Sequence, residues 1–315
     1  MTGNANAAGR ITLCDVGPRD GLQNQARSVS AADKIRLVDA LSASGLPRIE
    51  VTSFVSPRAI PQLADAEQVM HEIERRPGVE YTVLVPNLRG AERALACRPD
   101  ELNVVMSVSE AHNRANLRMT REDSFAALSS VVALAQQRGT PVNVSLSCAF
   151  GCPFEGDVAF ESIVEWVRRF SALGVVAYTL CDTTGMAYPR QVRGIMGRLR
   201  ERFPRHVYTL HFHNTRGLGV ANVLAAAAEG FDRFDASLGG LGGCPYAPGA
   251  TGNVCTEDVV HALHLEGFET GVNLDALIAA ARTLPDIIGA DIPGQIARAG
   301  PRSRRYQLDE ARVQG

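Results

Sequence analysis

Residues 10–24 read RITLCDVGPRDGLQN, and this stretch decides between the two folds open to a chain of alternating strands and helices. It begins as an apolar, strand-like run (Ile11, Leu13) and ends in a turn built from Gly17, Pro18 and Gly21. In an open doubly wound sheet the first strand feeds a GxGxxG phosphate turn. Here that pattern is missing, and the turn instead carries Asp15, Arg19 and Asp20, more charge than glycine and proline need to shape it. The reading that follows is a closed barrel, in which charges just after a strand stand at the catalytic mouth.

Seven more apolar or β-branched runs lie downstream: RIEVTSFV (48–55), EYTVLVP (80–86), ELNVVMSV (101–108), PVNVSLSC (141–148), VVAYTLCDT (175–183), VYTLHFHN (207–214) and RFDASLGG (233–240). Segments of helical periodicity separate them. Ser30 with Asp33 and Thr120 with Asp123 are N-terminal capping patterns, and Gly45, Gly139, Gly174 and Gly230 are stop signals. Eight strand–helix units predict a single (β/α)₈ TIM barrel over residues 11–285. A disordered N-terminal tail over residues 1–10 is expected to precede it. A C-terminal helical extension, residues 286–315, follows; NLDALIAAARTLPDIIG (273–289) reads as one helix before an arginine-rich tail that either packs over the barrel or stays mobile.

Composition removes whole classes of function. With 45% hydrophobic and 21% charged residues and a formal net charge of −2, the chain is neither disordered nor a general nucleic-acid binder. It has no apolar run of membrane-spanning length and no signal-peptide core. Seven scattered cysteines, an odd number, suit reduced thiols, so a cytoplasmic location is expected. Cys148 and Cys152 lack the second close pair that a structural zinc site needs.

In a barrel of this kind, chemistry sits at the C-terminal strand ends. Asp15, Arg19 and Asp20 follow the first strand, Glu50 and Thr52 lie in the second, Asp182 ends the sixth, His211 and His213 end the seventh, and Cys244 and Asn253 follow the eighth. Alternation points both imidazoles inward and Phe212 toward the helices. Two histidines converging with a carboxylate such as Asp20 suit a metal bound by nitrogen and oxygen; the alternative is a pair of hydrogen-bonded residues lining the barrel. A buried Glu50 needs a partner, either Arg19 or the metal. The glycine-rich GGLGGCPYAPGATGN (239–253) has the composition of a closing loop and carries Cys244.

The motifs VGPRDGLQN (16–24), IEVTSFVSP (49–57), SCAFGCPFEG (147–156), LCDTTG (180–185), LHFHNT (210–215) and GGLGGCPYAPGATGN, in this order, resemble the 3-hydroxy-3-methylglutaryl-CoA lyase family over about Ile11 to Leu277. The resemblance implies a pyruvate carboxyltransferase-like barrel that performs a retro-Claisen cleavage with Mg²⁺ or Mn²⁺. Its expected substrate is (S)-3-hydroxy-3-methylglutaryl-CoA, its products acetyl-CoA and acetoacetate, as in leucine catabolism. By motif position Asp20, His211, His213 and Asn253 correspond to metal ligands. Arg19 corresponds to the group at the thioester oxygen, Glu50 to its supporting carboxylate, Asp182 or a neighbouring histidine (His211) to the acid/base, and Cys244 to the proton donor on a mobile loop. Thr179 and Arg216 join Arg19 as candidate substrate contacts.

The implied partner is an acyl-CoA, with no nucleic acid or membrane, in a homo-oligomer (dimer or tetramer). The chain departs from the family in Asn214, Thr215 and Arg216, where the family has Asp-Thr and a tyrosine, and in Ala26 before Arg27. Arg216 therefore raises a second substrate class, citramalyl-CoA-like or longer-branched 3-hydroxyacyl-CoA thioesters. A condensing synthase of the isopropylmalate or homocitrate type fits less well, because the loop before Asn253 lacks a Glu-Arg pair and no regulatory domain follows. In Asp15 the reading sees a partner that positions Arg19.

Overall fold

The eight sequence-derived runs form eight parallel strands: β1 (Thr12–Asp15), β2 (Arg48–Ser53), β3 (Glu80–Leu84), β4 (Glu101–Ser107), β5 (Val142–Ser147), β6 (Ala177–Asp182), β7 (Val207–Phe212) and β8 (Arg233–Ala236). In this computed structural model, which describes residues 8–243 and 252–306, they close in sequence order, with β8 pairing back to β1. Helices follow the strands and cover the outside.

The two faces of each strand have opposite chemistry. Outward residues such as Leu13, Ile49, Val51, Val83, Val104, Leu146, Leu180, Leu210, Phe212 and Phe234 are buried against the helices in one continuous core. Burying each full side chain of this kind contributes roughly 1.5–3 kcal/mol. Inside the barrel, Asn103, Asn143, Ser145 and Thr179 bond to one another across β4, β5 and β6, at 2.8–3.0 Å. At the N-terminal end, Arg48 reaches Glu101 at 2.5 Å and also pairs with Glu80. Barrels of this class usually fill the interior with branched apolar side chains. Here hydrogen-bonded polar residues replace much of that filling, and the apolar stability lies outside the strands.

The helix signals act as the sequence predicts. Ser30 Oγ accepts from Asp33 N (3.1 Å) and Thr120 Oγ1 from Asp123 N (3.0 Å), each capping a helix start, Ala31–Ala43 and Arg121–Gln137. Gly45 ends the first at φ +87°, where a Cβ would also lie 2.6 Å from the Gly271 carbonyl.

Two expectations are corrected. Ala8–Arg10, assigned to the tail, form a short parallel strand against Phe268–Glu269. The segment 273–289 is two helices, Leu274–Ala281 and Leu284–Ile288, because Pro285 lacks the N–H that would continue the first. Beyond it, helix Gln295–Ala299 is anchored by Asp258, which accepts from Gln295 N and Ile296 N, and Arg302 N donates to His261. The extension thus packs on the outer helix Thr256–Leu265. Among the described residues no helix is long and apolar enough to cross a membrane, and the six described cysteines are buried.

Candidate active site

The chain leaves β1 through a single π-helical turn, Gly17–Gly21, in which the Gly17 carbonyl accepts from Leu22 N, five residues on, at 3.0 Å. Such turns are rare and concentrate at functional sites. This one presents two consecutive, oppositely charged side chains to the mouth. Arg19 Nε donates to Glu50 Oε2 at 2.5 Å and Nη1 to Asp20 Oδ1 at 2.8 Å, and Nη2 has no protein acceptor among the described residues. Burial opposes the guanidinium charge, but Glu50 and Asp20 outweigh it and raise its pKa. Glu50 is almost fully buried, and its second oxygen accepts from Asn103 Nδ2 at 2.8 Å. Burial pushes its carboxyl up, while Arg19 and Asn103 pull it down. Of the two roles open to Glu50, the structure gives it the ion pair with Arg19.

Beside this pair, ligand atoms of Asp20, His211 and His213 all lie within 4.8 Å of one another. The two imidazole Nε2 atoms are 3.2 Å apart, and Asp20 Oδ2 is 4.0 Å from His211 Nε2. Asn253 reaches the cluster through backbone pairing: Asn214 N donates to Gly252 O and Val254 N to Phe212 O, laying residues 252–254 against the end of β7. Only glycine fits at 252, where a Cβ would come within 2.3 Å of the Gly242 carbonyl. Asn253 Nδ2 then donates to Asp20 Oδ2 at 2.8 Å.

Burial would raise the Asp20 carboxyl, but Arg19 and then the histidines hold it down at about 2. Burial lowers His213 to about 3, with His211 adding to the effect. It also disfavours charge on His211, yet the Asp235 contact wins and raises that imidazole. Asn253 Oδ1 is buried with no hydrogen-bond partner among the described residues. Two facing ring nitrogens, an ionised carboxylate and an orphaned amide oxygen are what a divalent cation needs, so the residues fit a metal.

The remaining predicted residues take separate places. Asp182 is buried at the end of β6, with Oδ1 accepting from Met186 N (2.7 Å) and Ala187 N (3.0 Å) and Oδ2 without a partner among the described residues. Burial pushes its carboxyl up to about 7. Thr179 lies deeper, with Oγ1 accepting from Asn143 in the polar layer. Arg216, expected to contact substrate, has Nη1 bonded to the Thr184 and Gly185 carbonyls at 2.9 and 2.8 Å, which straps the loop after β6.

Asp15 does not position Arg19: it accepts from Gly17 N (2.8 Å) and Thr256 Oγ1 (2.7 Å), tying the first turn to the last barrel helix. Cys244 lies outside the described residues. Sequence reasoning missed Asp235 and Asn103. Inward phase on their strands was the available signal, and each bonds a site residue, His211 and Glu50 respectively.

The HMGL-like family model matches residues 10–284. The chain is 46% identical, with a TM-score of 0.91, to the structure of an HMG-CoA lyase from Acinetobacter baumannii in complex with coenzyme A and 3-methylmalate, covering 95% of this chain and 98% of that one. It is 43% identical to a hydroxymethylglutaryl-CoA lyase of Bacillus subtilis over 91% of this chain and 96% of the relative. It is 40% identical to an (R)-citramalyl-CoA lyase of Chloroflexus aurantiacus over 92% and 95%.

Proposed function

The chain belongs to the HMGL-like family and is a carbon–carbon lyase of the HMG-CoA lyase type, and from that premise we propose that it cleaves (S)-3-hydroxy-3-methylglutaryl-CoA to acetyl-CoA and acetoacetate with Mg²⁺ or Mn²⁺. The observation that carries this reading is the meeting, at one barrel mouth, of the Asp20–His211–His213–Asn253 donor set with a guanidinium that keeps one nitrogen free of acceptors among the described residues.

Bound there, a divalent cation would orient a substrate hydroxyl and lower its pKa. The protein's own groups supply the rest. Asp182 Oδ2, buried, unpaired and raised to about 7, accepts the proton of the tertiary hydroxyl. The C2–C3 bond then breaks, leaving a ketone on one fragment and an enolate on the thioester. Arg19 Nη2 donates to the enolate oxygen, held for this by Glu50 and Asp20. Protonation of the acetyl carbon completes the reaction, and by family resemblance Cys244 is the donor.

The test is acetyl-CoA release from a panel of 3-hydroxyacyl-CoA thioesters, with EDTA and with added Mg²⁺ or Mn²⁺. The expected result is metal-dependent release, fastest with the 3-methyl substrate. Cys244→Ser should bind metal as wild type does but lose most turnover. Metal-independent release, or none with any thioester, overturns the reading.

A further inference from the structure

We infer that Asp235 is the positioning residue of His211: it fixes the imidazole's tautomer and aim so that Nε2 is presented to the cation. This rests on the metal reading above. The two residues are direct register partners on adjacent strands β7 and β8, so no loop slackness separates them. Asp235 Oδ2 lies 3.2 Å from His211 Nδ1. A carboxylate oxygen is the acceptor and a ring N–H the donor, so this contact assigns the hydrogen to Nδ1 and turns Nε2 toward Asp20 and His213. Carboxylate support of this kind also makes the ligating nitrogen more basic.

Among the described residues Asp235 makes no other hydrogen bond or ion pair, although its side chain is only 13% exposed. It is not a member of the ligand cluster, which consists of Asp20, His211 and His213. The second imidazole is a contrast within the same site, because His213 Nδ1 is buried with no partner among the described residues. Among the described residues, of the two rings only His211 is held from behind.

The experiment is Mn²⁺ titration of the metal-stripped full chain at pH 7.5, followed by the electron paramagnetic resonance of the free ion, for wild type, Asp235→Ala and Asp235→Asn. Folding is checked by circular dichroism. Removing a carboxylate behind a histidine ligand is expected to weaken Mn²⁺ binding about 10–100-fold in the alanine variant. Asparagine, which can still accept from Nδ1–H, should fall between it and wild type. A merely structural residue would lower the melting temperature and leave the affinity of the folded protein alone.

Equal affinity in wild type and folded Asp235→Ala overturns the inference and leaves the metal reading standing. No Mn²⁺ binding by wild type overturns both. If the alanine variant does not fold, the asparagine variant decides: weaker binding supports the assignment, and unchanged binding refutes it.

Discussion

Asp182→Asn should give a protein that is nearly inactive yet more stable than wild type at alkaline pH. Asparagine keeps an oxygen to accept from Met186 N and Ala187 N and is isosteric with the protonated acid. The native carboxyl sits at about 7 because burial disfavours its charge. An unfolded aspartate titrates near 4. The folded-state value is the higher one, so the stability associated with the proton is fully present below about pH 4 and is lost as pH rises through 7. Three units of difference correspond to roughly 4 kcal/mol at pH 8.5, an order-of-magnitude figure.

Urea unfolding of metal-free wild type and variant at pH 4 and pH 8.5 measures the difference directly. The variant should match wild type at the lower pH and exceed it at the higher. Loss of the acid/base group should lower kcat by about 10²–10⁴, and wild-type kcat should rise with pH through about 7 as the carboxyl ionises. Wild-type turnover in Asp182→Asn would refute the catalytic assignment. Equal stability of the two proteins at pH 8.5 would refute the buried-proton argument.

Glu50→Gln removes the charge that holds Arg19 Nε, so kcat should fall about 10²-fold or more with little change in metal affinity, as tested by steady-state kinetics beside Mn²⁺ titration. Weakened Mn²⁺ binding instead would make Glu50 part of the metal site. Asp15→Asn places an amide where the protonated acid would stand between Gly17 and Thr256, so urea unfolding at pH 6 should show a loss under about 1 kcal/mol, whereas Asp15→Ala should cost about 1–3 kcal/mol. Arg216→Tyr should leave the order of preference in the thioester panel unchanged, because Arg216 Nη1 bonds the loop backbone; a switch in preferred acyl group would return Arg216 to the substrate site.

The barrel was legible because its signals are local. A missing phosphate turn, eight β-branched runs and capping pairs such as Ser30–Asp33 each act within a few residues, and all eight strands appear where those runs lie. The metal cluster was legible in part for the same reason: alternation along β7 puts His211 and His213 on one face. What sequence could not give was the choice among partners across the barrel. Glu50 had two plausible partners, and only closure of the sheet brings Arg19 Nε to 2.5 Å. Asp15 was assigned to Arg19 by proximity in the chain, yet its bond to Thr256 spans 241 residues. Arg216 was weighed by its side chain alone, while its actual acceptors are backbone carbonyls that no residue type reveals.

Charge balance joins these separate contacts into one site. Asp20, Glu50 and Asp235 are carboxylates set against a single guanidinium, Arg19, in a space that excludes most water. Burial disfavours charge on both imidazoles; Asp235 and then Asp20 outweigh it and raise His211, while burial and then the neighbouring His211 lower His213. Arg19 Nε and Nη1 are committed to Glu50 and Asp20. The carboxylates around the candidate cation site therefore also fix the guanidinium, and leave Nη2 without a protein acceptor among the described residues.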